Sequence, residues 1–65
     1  MEVILNGSSH SITAISTVND LINELELEGK FAIEINKTII PRSEYASTPI
    51  NTGDTIEIVQ AIGGG

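Results

Sequence analysis

Thr17-Val18-Asn19-Asp20-Leu21-Ile22-Asn23-Glu24-Leu25 is the stretch on which the fold turns. Val18, Leu21, Ile22 and Leu25 recur at the i, i+3, i+4, i+7 spacing of one helical face. Thr17 offers a hydroxyl at the cap position, and Asp20 places a carboxylate in the first turn, at the positive end of the helix dipole. Gly29 suits a left-handed exit. The spacing predicts a single amphipathic helix of about three turns.

On either side of this helix the chain reads as strand. Val3 to Leu5 is a short apolar run, and Asn6-Gly7 after it is the dipeptide best suited to the positive φ angles of a tight hairpin turn. Ser8 to Ile15 then alternates, with His10, Ile12 and Ala14 on one side and Ser9, Ser11, Thr13 and Ile15 on the other. Beyond the helix, Phe31, Ile33 and Ile35 alternate with Ala32, Glu34 and Asn36, the period of a strand with one wet face. Asn36-Lys37 turns the chain, and Ile39-Ile40 is stopped by Pro41, which has no N–H for a ladder. Ser43 to Ala46 reads as a short turn, and Thr48-Pro49 and Asn51-Thr52-Gly53-Asp54 as loop chemistry. Thr55 to Ile62 is the last strand, with Ile56, Ile58, Gln60 and Ile62 on one side and Glu57, Val59 and Ala61 on the other. The coarse order is β-β-α-β-β. It predicts an α+β domain in which one mixed sheet wraps its apolar face over the helix, with residues 1–62 as the domain and 63–65 as a flexible glycine tail.

Composition agrees with a sheet and removes whole classes of function. Twelve Ile, four Leu and three Val among 65 residues favour pleated structure. With 3 Lys+Arg against 9 Asp+Glu the net charge is −6, so the chain is repelled by the phosphates of nucleic acid, and 3% aromatics offer no base-stacking platform. No apolar run approaches the roughly 18 residues of a membrane span, and Met1-Glu2-Val3-Ile4 lacks a secretory signal pattern. A cytoplasmic protein is expected. Zero Cys excludes a disulfide framework, a thiolate zinc site and a cysteine nucleophile.

A catalytic set does not emerge either. His10 lies between serines in the hairpin with nothing to orient it, and reads as a solvated strand residue. In the run Glu24, Glu26 and Glu28, Glu24 and Glu28 are i, i+4 neighbours on the helix while Glu26 points elsewhere, and without His or Cys partners they read as a solvated face. The glycines precede no helix and no Lys follows them, so no phosphate-binding loop is present. The chain is not expected to be an enzyme.

What remains is Gly63-Gly64-Gly65, joined directly to the last strand. The α-carboxylate of Gly65 is ionised at neutral pH, with a pKa of about 3.3–3.7, and is then a poor electrophile that another enzyme must activate. Residues without Cβ can thread a narrow channel in conformations closed to others. Three of them, extended, reach about 10 Å.

The chain resembles the ThiS family, sulfur carriers of thiamine biosynthesis in the ubiquitin-like β-grasp group. The resemblance rests on Thr17-Val18-x-x-Leu21-Ile22-x-x-Leu25, on Ile35-Asn36-x-x-Ile39-Ile40-Pro41-Arg42-x-x-Tyr45-Ala46, on Gly53-Asp54, and on the glycine tail. The middle segment is the most specific. Many relatives end in two glycines, and the third, Gly63, leaves the Gly64-Gly65 pair intact.

The resemblance implies that a ThiF-like adenylating enzyme, using ATP and Mg²⁺, activates Gly65 as an acyl-adenylate. Sulfur that a cysteine desulfurase draws from cysteine then makes a thiocarboxylate, and a ThiG-like thiazole synthase takes that sulfur into the thiazole ring. The carrier is a co-substrate and binds no cofactor of its own, with Gly63 and Gly64 threading the partners' active sites. Two other readings stay open: the small subunit of molybdopterin synthase, and a ubiquitin-like interaction module whose tail is inert. Val59, on the strand leading to the tail, is expected to belong to an apolar patch that docks the adenylating enzyme. Arg42 reads most simply as a solvated charge after the Pro41 strand stop and is also a candidate partner contact, while Tyr45 reads as a core plug. The acidic balance predicts basic docking surfaces on the partners and association that weakens as salt rises.

Overall fold

In the computed structural model, which describes residues 1–13 and 17–60, the chain reverses twice at an asparagine. Asn6 and Gly7 have φ of 49° and 84°, Asn36 and Lys37 φ of 50° and 71°. Positive φ at both central residues is the hairpin turn whose twist matches that of its flanking strands. The first turn joins β1 (Glu2–Leu5) to β2 (Ser8–Ser11), with Leu5 opposite Ser8. The second joins β3 (Phe31–Ile35) to β4 (Thr38–Ile40), with Ile35 opposite Thr38.

The last strand, β5 (Thr55–Gln60), enters the middle of the sheet, giving the order β2-β1-β5-β3-β4 among the described residues. It runs parallel to β1 and antiparallel to β3. Two asparagine side chains fasten it. Asn36 Oδ1 accepts the Thr55 N–H at 3.0 Å while its Nδ2 donates to Asp54 Oδ1 at 3.1 Å, and Asn6 Oδ1 accepts the Ile58 N–H at 2.8 Å. Because the Ile39-Ile40 segment forms a strand of its own, the described residues hold five strands, one more than the coarse β-β-α-β-β order. Ala14-Ile15 and Ala61-Ile62, expected to prolong the second and last strands, lie outside the described residues.

The helix, α1 (Val18–Leu25), starts as its sequence predicts. The Asp20 N–H donates to Thr17 Oγ1 at 3.3 Å and the Thr17 N–H to Asp20 Oδ2 at 3.1 Å, a reciprocal capping box. Two further N–H groups that a helix start leaves without partners, those of Val18 and Asn19, donate to the carbonyls of Thr48 (2.9 Å) and Tyr45 (3.0 Å). The segment between β4 and β5 is thereby tied to the helix. Its 3₁₀ turn, Arg42–Glu44, begins one residue earlier than the Ser43 start the sequence suggests.

The C-terminal end differs from expectation. α1 stops at Leu25 after eight residues, and the left-handed exit residue is Glu26, at φ 55°, instead of Gly29. The Glu26 N–H reaches the Asn23 carbonyl and the Leu27 N–H the Ile22 carbonyl, a Schellman closure. The reason lies in the apolar stripe, whose next positions would be Glu28 and Gly29. A longer helix would bury nothing more. Glu24 and Glu28 therefore do not share a helix face. A non-glycine residue in the left-handed region costs about 1–2 kcal/mol, part of which a glycine returns through its freer unfolded chain. Glu26→Gly is accordingly expected to raise stability by a few tenths to about 1 kcal/mol, read as a higher thermal midpoint.

The core lies between the sheet and α1. Val3, Ile33 and Ile56 from three strands pack with Val18 and Leu21 of the helix, all essentially without solvent exposure. Ile12, Tyr45 and Ile50 close its margins from outside the strands and helix. Tyr45 is buried, as the sequence suggested, and its ring stacks on Phe31 at a centroid distance of 6.2 Å with planes 10° apart.

Candidate functional site

β5 has two unlike faces. Ile56 is buried and Ile58 half-buried toward α1, while Glu57 and Val59 point to the opposite side of the sheet. No described helix covers that side. Cross-strand register decides what gathers there: Ala32 stands opposite Val59, Glu34 opposite Glu57, and Ile39 opposite Glu34. Ala32, Ile39, Val59 and the two carboxylates line a shallow depression of about 300 Å³. Val59 is 68% and Ile39 69% exposed, high for aliphatic side chains of this size.

Val59 thus lies where its alternation put it. Ile39 was missed, since Ile39-Ile40 alone does not say which residue faces in. The two-residue turn supplies that information: it sets Ile40 against the buried Ile33 and turns Ile39 outward. Glu34 and Glu57 lie on the faces their alternation gives them, but their pairing across β3 and β5 is not legible in either strand alone. Like charges directly opposite on adjacent strands repel, so this pair works against the sheet and gives the apolar patch an acidic margin.

Arg42 is exposed at the start of the 3₁₀ turn and does not line the depression. Gly63, Gly64 and Gly65 lie outside the described residues. Gln60, the last residue described, donates from Nε2 to the Glu28 carbonyl at 3.4 Å. His10 is half-buried opposite Val3. The Glu24 carboxylate accepts the hydroxyl and the N–H of Thr13, which holds it below the usual carboxylate range. No group of three or more His, Cys, Asp or Glu among the described residues is placed to hold a metal ion. No described helix is long and apolar enough to cross a membrane.

A mixed sheet whose first and last strands pair in parallel at its centre, flanked by two hairpins and crossed by one helix, is a ubiquitin-like β-grasp fold of the α+β class. A crystal structure of a thiamine biosynthesis protein (ThiS) from Geobacter metallireducens has the same fold, with a TM-score of 0.84 at 23% identity over the whole of both chains. The ThiS family matches residues 3–65, and the sulfur carrier protein ThiS of Escherichia coli is 32% identical over the full length of both chains. This chain belongs to the ThiS family. It is also 42% identical to part of a thiazole synthase from Paramagnetospirillum magneticum, matching along its entire length but spanning only 20% of that protein.

Proposed function

We propose that this chain carries sulfur in thiamine biosynthesis, on the carboxylate of Gly65. The observation that supports this reading best is the ThiS family match, which runs through residue 65. A partner adenylating enzyme, holding ATP and Mg²⁺, joins a carboxylate oxygen to the α-phosphorus and releases pyrophosphate. The outer sulfur of a protein persulfide then attacks the acyl carbon and expels AMP to give an acyl disulfide. A thiol of the partner machinery attacks the inner sulfur, forming a disulfide and releasing the thiocarboxylate. A ubiquitin-like domain this small performs none of these steps itself. It offers a group that partners act on, with Gly63 and Gly64 able to enter channels closed to residues with a Cβ.

Thiazole synthase is the receiver this reading favours over molybdopterin synthase, and the likeness to part of a thiazole synthase supports it. Mass spectrometry of the protein isolated from its native cell, grown without thiamine, tests the proposal. One terminal oxygen replaced by sulfur is the expected result, and persistent absence of that species defeats it. The synthase that co-purifies separates the thiamine from the molybdopterin pathway.

The outward patch of Ala32, Ile39 and Val59 supplies an apolar docking surface, and Glu34 and Glu57 select a partner with basic residues around an apolar contact. Burying a valine side chain contributes about 1.5 kcal/mol or more. Val59→Lys loses that contribution and sets a positive charge against a basic partner. It is expected to lower kcat/KM for adenylation about tenfold or more with the thermal midpoint nearly unchanged; an unaltered kcat/KM would remove Val59 from the interface.

A further inference from the structure

We infer that Asn6 is a positioning residue for the tail: its side chain replaces β1 as the grip on β5 and thereby sets where the strand leading to Gly65 leaves the sheet. This rests on the carrier reading above.

The need for such a grip follows from the parallel pairing. Successive residues of a strand point their N–H and C=O to opposite edges, so on the β1 side of β5 the groups belong to Ile56, Ile58 and Gln60. The Asn6 N–H donates to the Ile56 carbonyl at 2.9 Å, and there the main chain of β1 turns away at Asn6-Gly7. The next donor on that side is the Ile58 N–H. Asn6 Oδ1 accepts it at 2.8 Å, across 52 residues of sequence. The side chain thus extends the ladder one step past the end of the strand.

Asparagine is suited to both halves of this task. At φ 49° the position favours Asn or Gly. Glycine satisfies the turn and carries no acceptor, and a longer amide is a poorer turn former. Asn36 holds the other end of the strand in a similar way, through Thr55 and Asp54, but it acts ten residues before Gly65 counted from Thr55. Asn6 acts at Ile58, seven residues before it. Of the two clamps, Asn6 is the one that acts on the half of β5 nearer Gly65, holding its β1-facing edge while β3 pairs with the other edge as far as Gln60.

Without this bond, β5 beyond Ile56 is held by the β3 ladder along one edge only, and its freed β1-facing edge has to be fixed when the partner binds. The hydrogen bond contributes about 0.5–1.5 kcal/mol net, which corresponds to a rise in KM of roughly two- to tenfold. The reacting carboxylate, once bound, has the same surroundings, so kcat stays the same. The full chain, Asn6→Gly and Asn6→Asp are compared in ATP–pyrophosphate exchange with the adenylating enzyme, alongside amide hydrogen exchange at Ile58 and Ile33. Asn6→Gly is expected to raise KM at constant kcat and to speed exchange at Ile58 but not at Ile33. Asn6→Asp, which keeps an acceptor, restores both. A wild-type KM in Asn6→Gly, with Ile58 exchange accelerated, overturns the inference. So does a joint fall in kcat and thermal stability that Asn6→Asp leaves uncorrected, the mark of a structural role alone. Failure of the unsubstituted chain to support exchange defeats the carrier reading itself.

Discussion

Deleting Gly65, or adding one residue after it, is expected to abolish adenylation while leaving the domain folded. In the proposed chemistry the reacting atom is a carboxylate oxygen of the last residue, and each residue of extended chain moves it by about 3.3–3.6 Å. Misplacement of a reacting group by about 1 Å can already lower the rate a hundredfold. A shift of a whole residue therefore takes turnover below detection. Stability is another matter. All the buried apolar residues among those described lie between Val3 and Ile56, so a change at position 65 alters none of them. ATP–pyrophosphate exchange and thermal unfolding, measured on the same preparations, check the two halves. Activity retained with an altered terminus would show that the working group is elsewhere.

Leu21→Ala carries the largest expected effect on the fold. Leu21 is fully buried on α1, packed with Val18 of its own helix and Val3, Ile33 and Ile56 of the sheet. Its truncation costs about 2.7–5 kcal/mol, the transfer of the lost carbons plus the cavity they leave. At about 0.05–0.15 kcal/mol per residue, a chain of 65 residues has only about 3–10 kcal/mol in total. The variant is expected to be largely unfolded or close to it at 37 °C. Denaturant titration by circular dichroism reads the loss directly. Ile39→Ala is the control: the same class of change at a side chain 69% exposed should move the midpoint little. Equal losses at the two positions would mean that the two faces of the sheet are not as different as their exposure makes them.

These contrasts show what a single residue's neighbours in sequence can and cannot settle. The two hairpin turns, the capping box at Thr17 and Asp20, the inward stripe of Val18, Leu21, Ile22 and Leu25, and the alternation of β3 and β5 were all legible in the chain. Each depends on the geometry of a few consecutive residues. The end of the helix was misread because Gly29 looked like the exit, whereas the apolar stripe had already run out at Leu25 and Glu26 accepts φ 55°. Ile50 stood alone between two turn motifs with no period to betray its burial. The helix partners of Tyr45 and Thr48, through main-chain carbonyls, leave no trace in side-chain pattern.

The candidate site divides along the same line. The glycine tail and the outward direction of Val59 come from the sequence, because composition and period two are local properties. The patch comes from the tertiary structure, because Ala32, Ile39 and Val59 meet only when β3 is paired with β4 on one side and β5 on the other. So does the clamp at Asn6. Its partner Ile58 is 52 residues away, and only the insertion of β5 beside β1 brings that N–H to a side chain which, in sequence, looked like nothing more than half of a turn.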